Sequence, residues 1–115
     1  MRDDLRDFAI REIGCLCCWL AGVGFTPAEK HHQLSTGLHG NGCRLGEQAT
    51  IGLCGWHHRG AAAVGSGVAP MWLERCGPSL ADHPRAFRDH FGSDDELMAA
   101  QNELLSAWQR ANNWG

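Results

Sequence analysis

Ala49-Thr50-Ile51-Gly52-Leu53-Cys54-Gly55-Trp56-His57-His58-Arg59 is the stretch on which the fold turns. Its first five residues read as a short strand, apolar and β-branched at the centre. Cys54 and His57 follow with two residues between them, a spacing that lets both side chains reach one metal ion. From Trp56 to about Ala63 the chain is expected to turn into a helix, which Gly65-Ser66-Gly67 breaks.

A second close pair stands upstream, inside Cys15-Leu16-Cys17-Cys18. Two close pairs far apart in sequence can close one tetrahedral zinc site, so Cys15, Cys18, Cys54 and His57 are the expected structural ligands. Cys17 can replace Cys15 or Cys18 in that set. The competing reading is that these are buried core thiols, as free cysteines often are. Cys43 and Cys76 have no partner at metal spacing and read as core or loop thiols.

The histidines outside that set carry the functional argument. His31 and His32 lie in Glu29 to Leu34, which reads as a short strand pairing back on Ala49–Leu53 across the Gly- and Asn-rich loop from Ser35 to Gly46. Neighbours on a strand point to opposite faces. The two histidines therefore cannot be equivalent ligands of one ion, but one can hold a metal while the other activates a water. A side chain that titrates near neutrality suits both tasks. The alternative is a solvated polar strand end. If His57 closes the zinc site, His58 points about 100° away around the helix start, with its backbone fixed by the zinc. His39, His83 and His90 read as surface or capping residues. Trp19, Trp56 and Trp72 read as core aromatics.

A chain of 115 residues with 43% apolar residues, five Trp and four Phe is one ordered domain rather than a disordered segment. Its six cysteines could mean disulfides in an oxidising compartment. However, Met1-Arg2-Asp3-Asp4-Leu5-Arg6-Asp7 has no signal-peptide character, and Cys15 to Phe25 is too short and Gly-rich to span a bilayer. A cytoplasmic protein with reduced, metal-binding thiols is expected. The net charge of -3 argues against a uniformly basic nucleic-acid binder. All of it comes from residues 93–115, where Asp94, Asp95, Glu96 and Glu103 face Arg110 alone. Any phosphate contact must be local, with Lys30 and Arg59 as candidates and a surface charge as the bland alternative for Arg59. Flanking helices are expected from Leu5, Phe8, Ala9 and Ile13 before Gly14, and from Pro84 to Phe91. A capping box at Ser93–Glu96 opens a last helix with the stripe Leu97, Gln101, Leu104, Leu105 and Trp108.

The order Cys-x2-Cys, His-His on a strand, a loop, then Leu-Cys-x2-His-His resembles the HNH (ββα-metal) nuclease motif over roughly residues 14–60. A wider set is similar to the phage Ref family of recombination-enhancement, RecA-dependent HNH nucleases. It comprises Gly14-Cys15-x2-Cys18, Glu29-Lys30-His31-His32-Gln33-Leu34, Thr50 through Gly60, Gly77-Pro78-Ser79-Leu80-Ala81, Ala86-Phe87-Arg88 and Phe91-Gly92. The resemblance implies an α+β fold: a small zinc-braced ββα-metal (HNH) core with additional N- and C-terminal helices. The chain would be one HNH nuclease domain, residues 1–115, with its helical part at about 78–112. The resemblance further implies a phage- or prophage-encoded DNA endonuclease assisted by a RecA filament, with structural Zn²⁺ and catalytic Mg²⁺ or Mn²⁺. His32 would be the general base, and His31 and His58 ligands of the catalytic ion. The motif's middle residue is usually Asn. Here Glu47, Gln48 and Ala49 occupy that region; Gln48 can orient His32, Glu47 can be a ligand, and Asn41 lies further back. A second departure is His57 where many HNH proteins have Cys, which zinc tolerates. The competing function is a non-catalytic zinc module that binds DNA or protein. A disulfide-stapled secreted domain is a third reading.

Overall fold

The computed structural model describes residues 2–32 and 49–112. The expected loop from Ser35 to Gly46, with His39, Asn41 and Cys43, lies outside the described residues, as do Gln33, Leu34, Glu47 and Gln48.

Seven helices surround one two-stranded sheet among the described residues. Helix α1 (Asp3–Ile13) opens with Asp3 and Asp4 and closes with Arg11, each sign at the end of the helix dipole that favours it. Helix α2 (Leu16–Leu20) starts directly at the cysteine knuckle, where Cys15 is the N-cap and its Sγ accepts from the Cys18 N–H at 3.4 Å. Strand β1 (Glu29–His32) pairs antiparallel with β2 (Thr50–Leu53), placing His31 opposite Ile51 and His32 opposite Thr50. Helix α3 (Gly55–Arg59) follows β2 after Cys54. Then come α4 (Ala61–Val64), α5 (Ala69–Cys76), α6 (Pro84–Phe91) and α7 (Asp94–Ala111). The mixed α+β reading stands, as does the capping box at Ser93 and Glu96 that opens α7.

Two expectations change, and one helix is added. The helix expected from Trp56 to Ala63 is two short helices, because Gly60 adopts φ +68° and turns the chain. A Cβ there would lie 2.2 Å from Asp82 Oδ2, the oxygen that accepts from the Ala61 N–H, so glycine is required both for the φ and for the approach. Helix α5 is the added element, bracketed by Pro70 in its first turn and Gly77 just past its end. Trp19 is not a core residue. It is 45% exposed and uses its indole N–H to reach the Ile13 carbonyl, whereas Trp56 is buried and Trp72 packs partly buried against the core.

The main core lies between β2, α2, α3, α6 and α7, and is filled by Leu16, Ile51, Leu53, Trp56, Phe87 and Leu97 around the cysteines. All of β2 is buried, while β1 is half-buried throughout. Side chains close off the outer edge of β2. The guanidinium of buried Arg6 donates to Thr50 Oγ1 at 3.1 Å, to the Thr50 carbonyl at 2.6 Å and to Asn102 Oδ1 at 2.9 Å. Gln101 Oε1 accepts from the Gly52 N–H at 2.8 Å. An unpaired strand edge buried in this way would otherwise leave backbone groups unsatisfied. Helix α1 comes so close to the sheet that a Cβ on Gly52 would sit 2.8 Å from Ile10 Cγ2. The sheet is thus held rigidly from both sides, which fixes where β1 carries its histidines.

Phe87 is fully buried in this core. Phe87→Ala is expected to cost about 3–5 kcal/mol through the lost burial and the residual cavity. Urea unfolding followed by circular dichroism measures this; a loss under about 1 kcal/mol would mean the site collapses without a cavity.

Candidate metal centre and histidine pair

Cys15, Cys18, Cys54 and His57 come together. One ligand atom from each lies within 4.8 Å of all the others, and all four residues are buried. The His57 Nδ1 is 3.4 Å from Cys15 Sγ, 3.6 Å from Cys18 Sγ and 3.3 Å from Cys54 Sγ, and the Cys18 and Cys54 sulfurs are 3.7 Å apart. Such separations suit four donors around one tetrahedral ion. The opposite ring nitrogen, His57 Nε2, donates to the Cys76 carbonyl at 2.8 Å, which leaves Nδ1 as the metal-facing atom. Outer hydrogen bonds of this kind are what orient imidazole ligands.

Two structural features bring the pairs together. The α2 start curls Cys15 and Cys18 onto one turn, and the β2–α3 junction does the same for Cys54 and His57. The pairing of β1 with β2 and the packing of α2 on β2 then bring the turns face to face. Burial by itself would lower the His57 pKa, yet hydrogen bonds with Cys18 and Cys54 and the Cys76 carbonyl outweigh it and push it up to about 9. Cys54 is driven the other way, toward thiolate, chiefly by hydrogen bonds from Cys15 and Cys18. Three clustered sulfurs and one imidazole nitrogen are the donors that suit a dication, which would displace their protons. The donor set fits zinc. Cys17 is buried but outside the cluster, with a thiol that burial holds protonated. Cys76 is a core thiol, and the five described cysteines are all free.

The histidine pair joins two elements: His58 follows His57 on α3, and His31 comes from β1. The rings of His31 and His58 meet edge to face with centroids 5.1 Å apart. Burial, and next the neighbouring His58, lower the His31 pKa to about 4, with Asp94 pulling the other way, so its imidazole is neutral at pH 7 and keeps a lone pair. His58 Nδ1 is 2.9 Å from Glu29 Oε1, and Arg59 grips the same carboxylate through Nη2 to Oε2 at 2.7 Å. The hydrogen bond from Arg59, then that from His58, hold Glu29 below the usual carboxylate range. Lys30 lies 3.7 Å from Asp7 Oδ1 on α1. Strand alternation puts His32 on the same face as Lys30 and opposite to His31.

Glu29 has no role in the sequence-based assignment, although it stands two residues before His31 on the same strand face, which a period-2 reading could have flagged. Asp94 and its partner Arg88 also act electrostatically on His31. They come from the α6–α7 junction, and no spacing rule reveals them.

A model of the family described as recombination enhancement, RecA-dependent nuclease matches residues 3–106. The chain belongs to that family. The match runs from α1 through most of α7 and includes the cysteine–histidine cluster and the His31–His58 pair of this RecA-dependent nuclease family member. No curated protein and no solved structure gives a match. No described helix is long and apolar enough to cross a membrane.

Proposed function

We propose that this member of the RecA-dependent nuclease family is an HNH-type, metal-dependent DNA endonuclease whose β1–β2–α3 unit is a ββα-metal core. The observation that carries this reading is the approach of His31, on β1, to His58, on α3, at 5.1 Å beside a buried Cys3His cluster. A purely structural zinc module has no need of a second, half-buried imidazole pair next to its metal.

In this reading Cys15, Cys18, Cys54 and His57 hold Zn²⁺ and brace the fold, while His31 and His58 hold Mg²⁺ or Mn²⁺. The catalytic ion would neutralise charge at the scissile phosphate and the leaving 3′-oxygen. Neutral imidazoles are what such an ion needs, and His31 is one at pH 7. His32, next along the strand, takes a proton from the attacking water. Glu47 is a further candidate ligand, and Gln48 a candidate to orient His32. Lys30 would trade its carboxylate partner, Asp7, for a DNA phosphate, and Arg59, while holding Glu29 through Nε and Nη2, would offer its other terminal nitrogen to another. The chain acts as a single domain, in the cytoplasm of a host cell, encoded by a phage or prophage. With a net charge of -3, it depends on a RecA filament to bring it to DNA.

The test is direct. Protein loaded with zinc and supplied with Mg²⁺ or Mn²⁺ should cut DNA held in a RecA filament, and EDTA should stop it. Failure to cut under any of these conditions would sink the nuclease reading.

A further inference from the structure

We infer that Glu29 is the positioning residue that sets the tautomer of His58, and through it the strength of the divalent-ion site. This rests on the nuclease reading above but makes a claim of its own. An ionised carboxylate can only accept hydrogen bonds. With Glu29 Oε1 at 2.9 Å, His58 Nδ1 must carry the proton and donate it. The lone pair is then confined to Nε2, the nitrogen that remains for a metal.

Glu29 itself is firmly held. Arg59 donates to it twice, Nη2 to Oε2 at 2.7 Å and Nε to Oε1 at 3.1 Å. A guanidinium gripping a carboxylate in this way fixes its direction as well as its charge. The strand register adds the second constraint. Glu29 and His31 are two residues apart on β1, so they project from one face, and both meet His58 there. Strand β1 therefore supplies one imidazole of the pair and the carboxylate that aims the other. The backbone of β1 is fixed in turn by buried β2. A carboxylate behind a ligating histidine also raises the basicity of the ligating nitrogen.

Long-range ¹⁵N–¹H correlation of the zinc-loaded full chain, without other divalent ions, reads the tautomer without any need for activity. In the wild type, His58 is expected to be protonated at Nδ1 and free at Nε2. A neutral ring protonated at Nε2 instead overturns the inference. Glu29→Gln keeps an acceptor oxygen and should keep the tautomer. Glu29→Leu should lose it and weaken Mn²⁺ binding, followed by electron paramagnetic resonance, by about 10–100-fold. Arg59→Ala should leave the His58 tautomer in place. If it removes the tautomer as fully as Glu29→Leu does, Arg59 rather than Glu29 sets the ring. Unchanged Mn²⁺ affinity in a Glu29→Leu protein that keeps its zinc and its helical signal also overturns the inference. A wild type that shows the Nδ1 tautomer yet never cuts DNA would leave Glu29's role standing and remove the nuclease reading alone.

Discussion

Cys54→Ser is expected to abolish the fold. Cys54 Sγ lies 3.3 Å from His57 Nδ1 and 3.7 Å from Cys18 Sγ, at the centre of a fully buried cluster. Apparent zinc-binding free energies in small structural sites are about 10–16 kcal/mol. Whole domains are stable by only about 5–15 kcal/mol. Losing a thiolate ligand therefore removes a contribution comparable to the entire stability. The main core is built around the same cysteines, so little apolar packing remains to compensate. Zinc content by atomic absorption should fall from one ion per chain toward zero, and the helical circular dichroism should fall with it. Chelation of the wild type should give the same spectrum. Acid should act in the same direction, because the ligands bind zinc only when deprotonated. Cys17→Ser is the contrast: Cys17 is equally buried but outside the cluster, so its replacement should leave zinc bound. A Cys54→Ser protein that keeps the wild-type spectrum with no zinc would show that the cluster is packed thiol rather than metal site.

His32→Ala should do the reverse, leaving the fold intact and removing cleavage. General-base catalysis contributes about 10²–10⁴-fold, so cutting of filament-bound DNA should fall by that factor. Zinc content, helical signal and Mn²⁺ binding should not change, because His32 is half-buried at the strand end and belongs to neither the cluster nor the His31–His58 pair. His31→Ala should also stop cleavage, but by weakening Mn²⁺ binding, and that difference separates base from ligand. If His32→Ala cuts as fast as the wild type, the base lies elsewhere on the chain. If instead it unfolds the protein, His32 is structural.

Much of this was legible in the residues. Cys-x2-Cys and Cys-x2-His turns form locally, since two-residue spacers curl both donors onto one side whatever surrounds them. The β1–β2 pairing followed from two strand-like runs on either side of a glycine-rich segment. The capping box of α7 is likewise a local hydrogen-bond exchange, and it formed where Ser93 and Glu96 stand. The Trp19 side chain shows where such reasoning ends, because burial depends on what packs over a residue and not on its type.

What the sequence by itself determined was the donor set of the cluster, the strand that carries His31 and His32, and the helix that carries His58. Tertiary structure decided what those side chains face. It put His58 against Glu29, brought Asp94 and Arg88 to the His31 side, and turned His57 Nε2 to the Cys76 carbonyl. The reason is range. Donor spacing and strand alternation are set by a few consecutive backbone dihedrals, whereas these partners meet only after β1, α3, α5 and α7 have docked on one core.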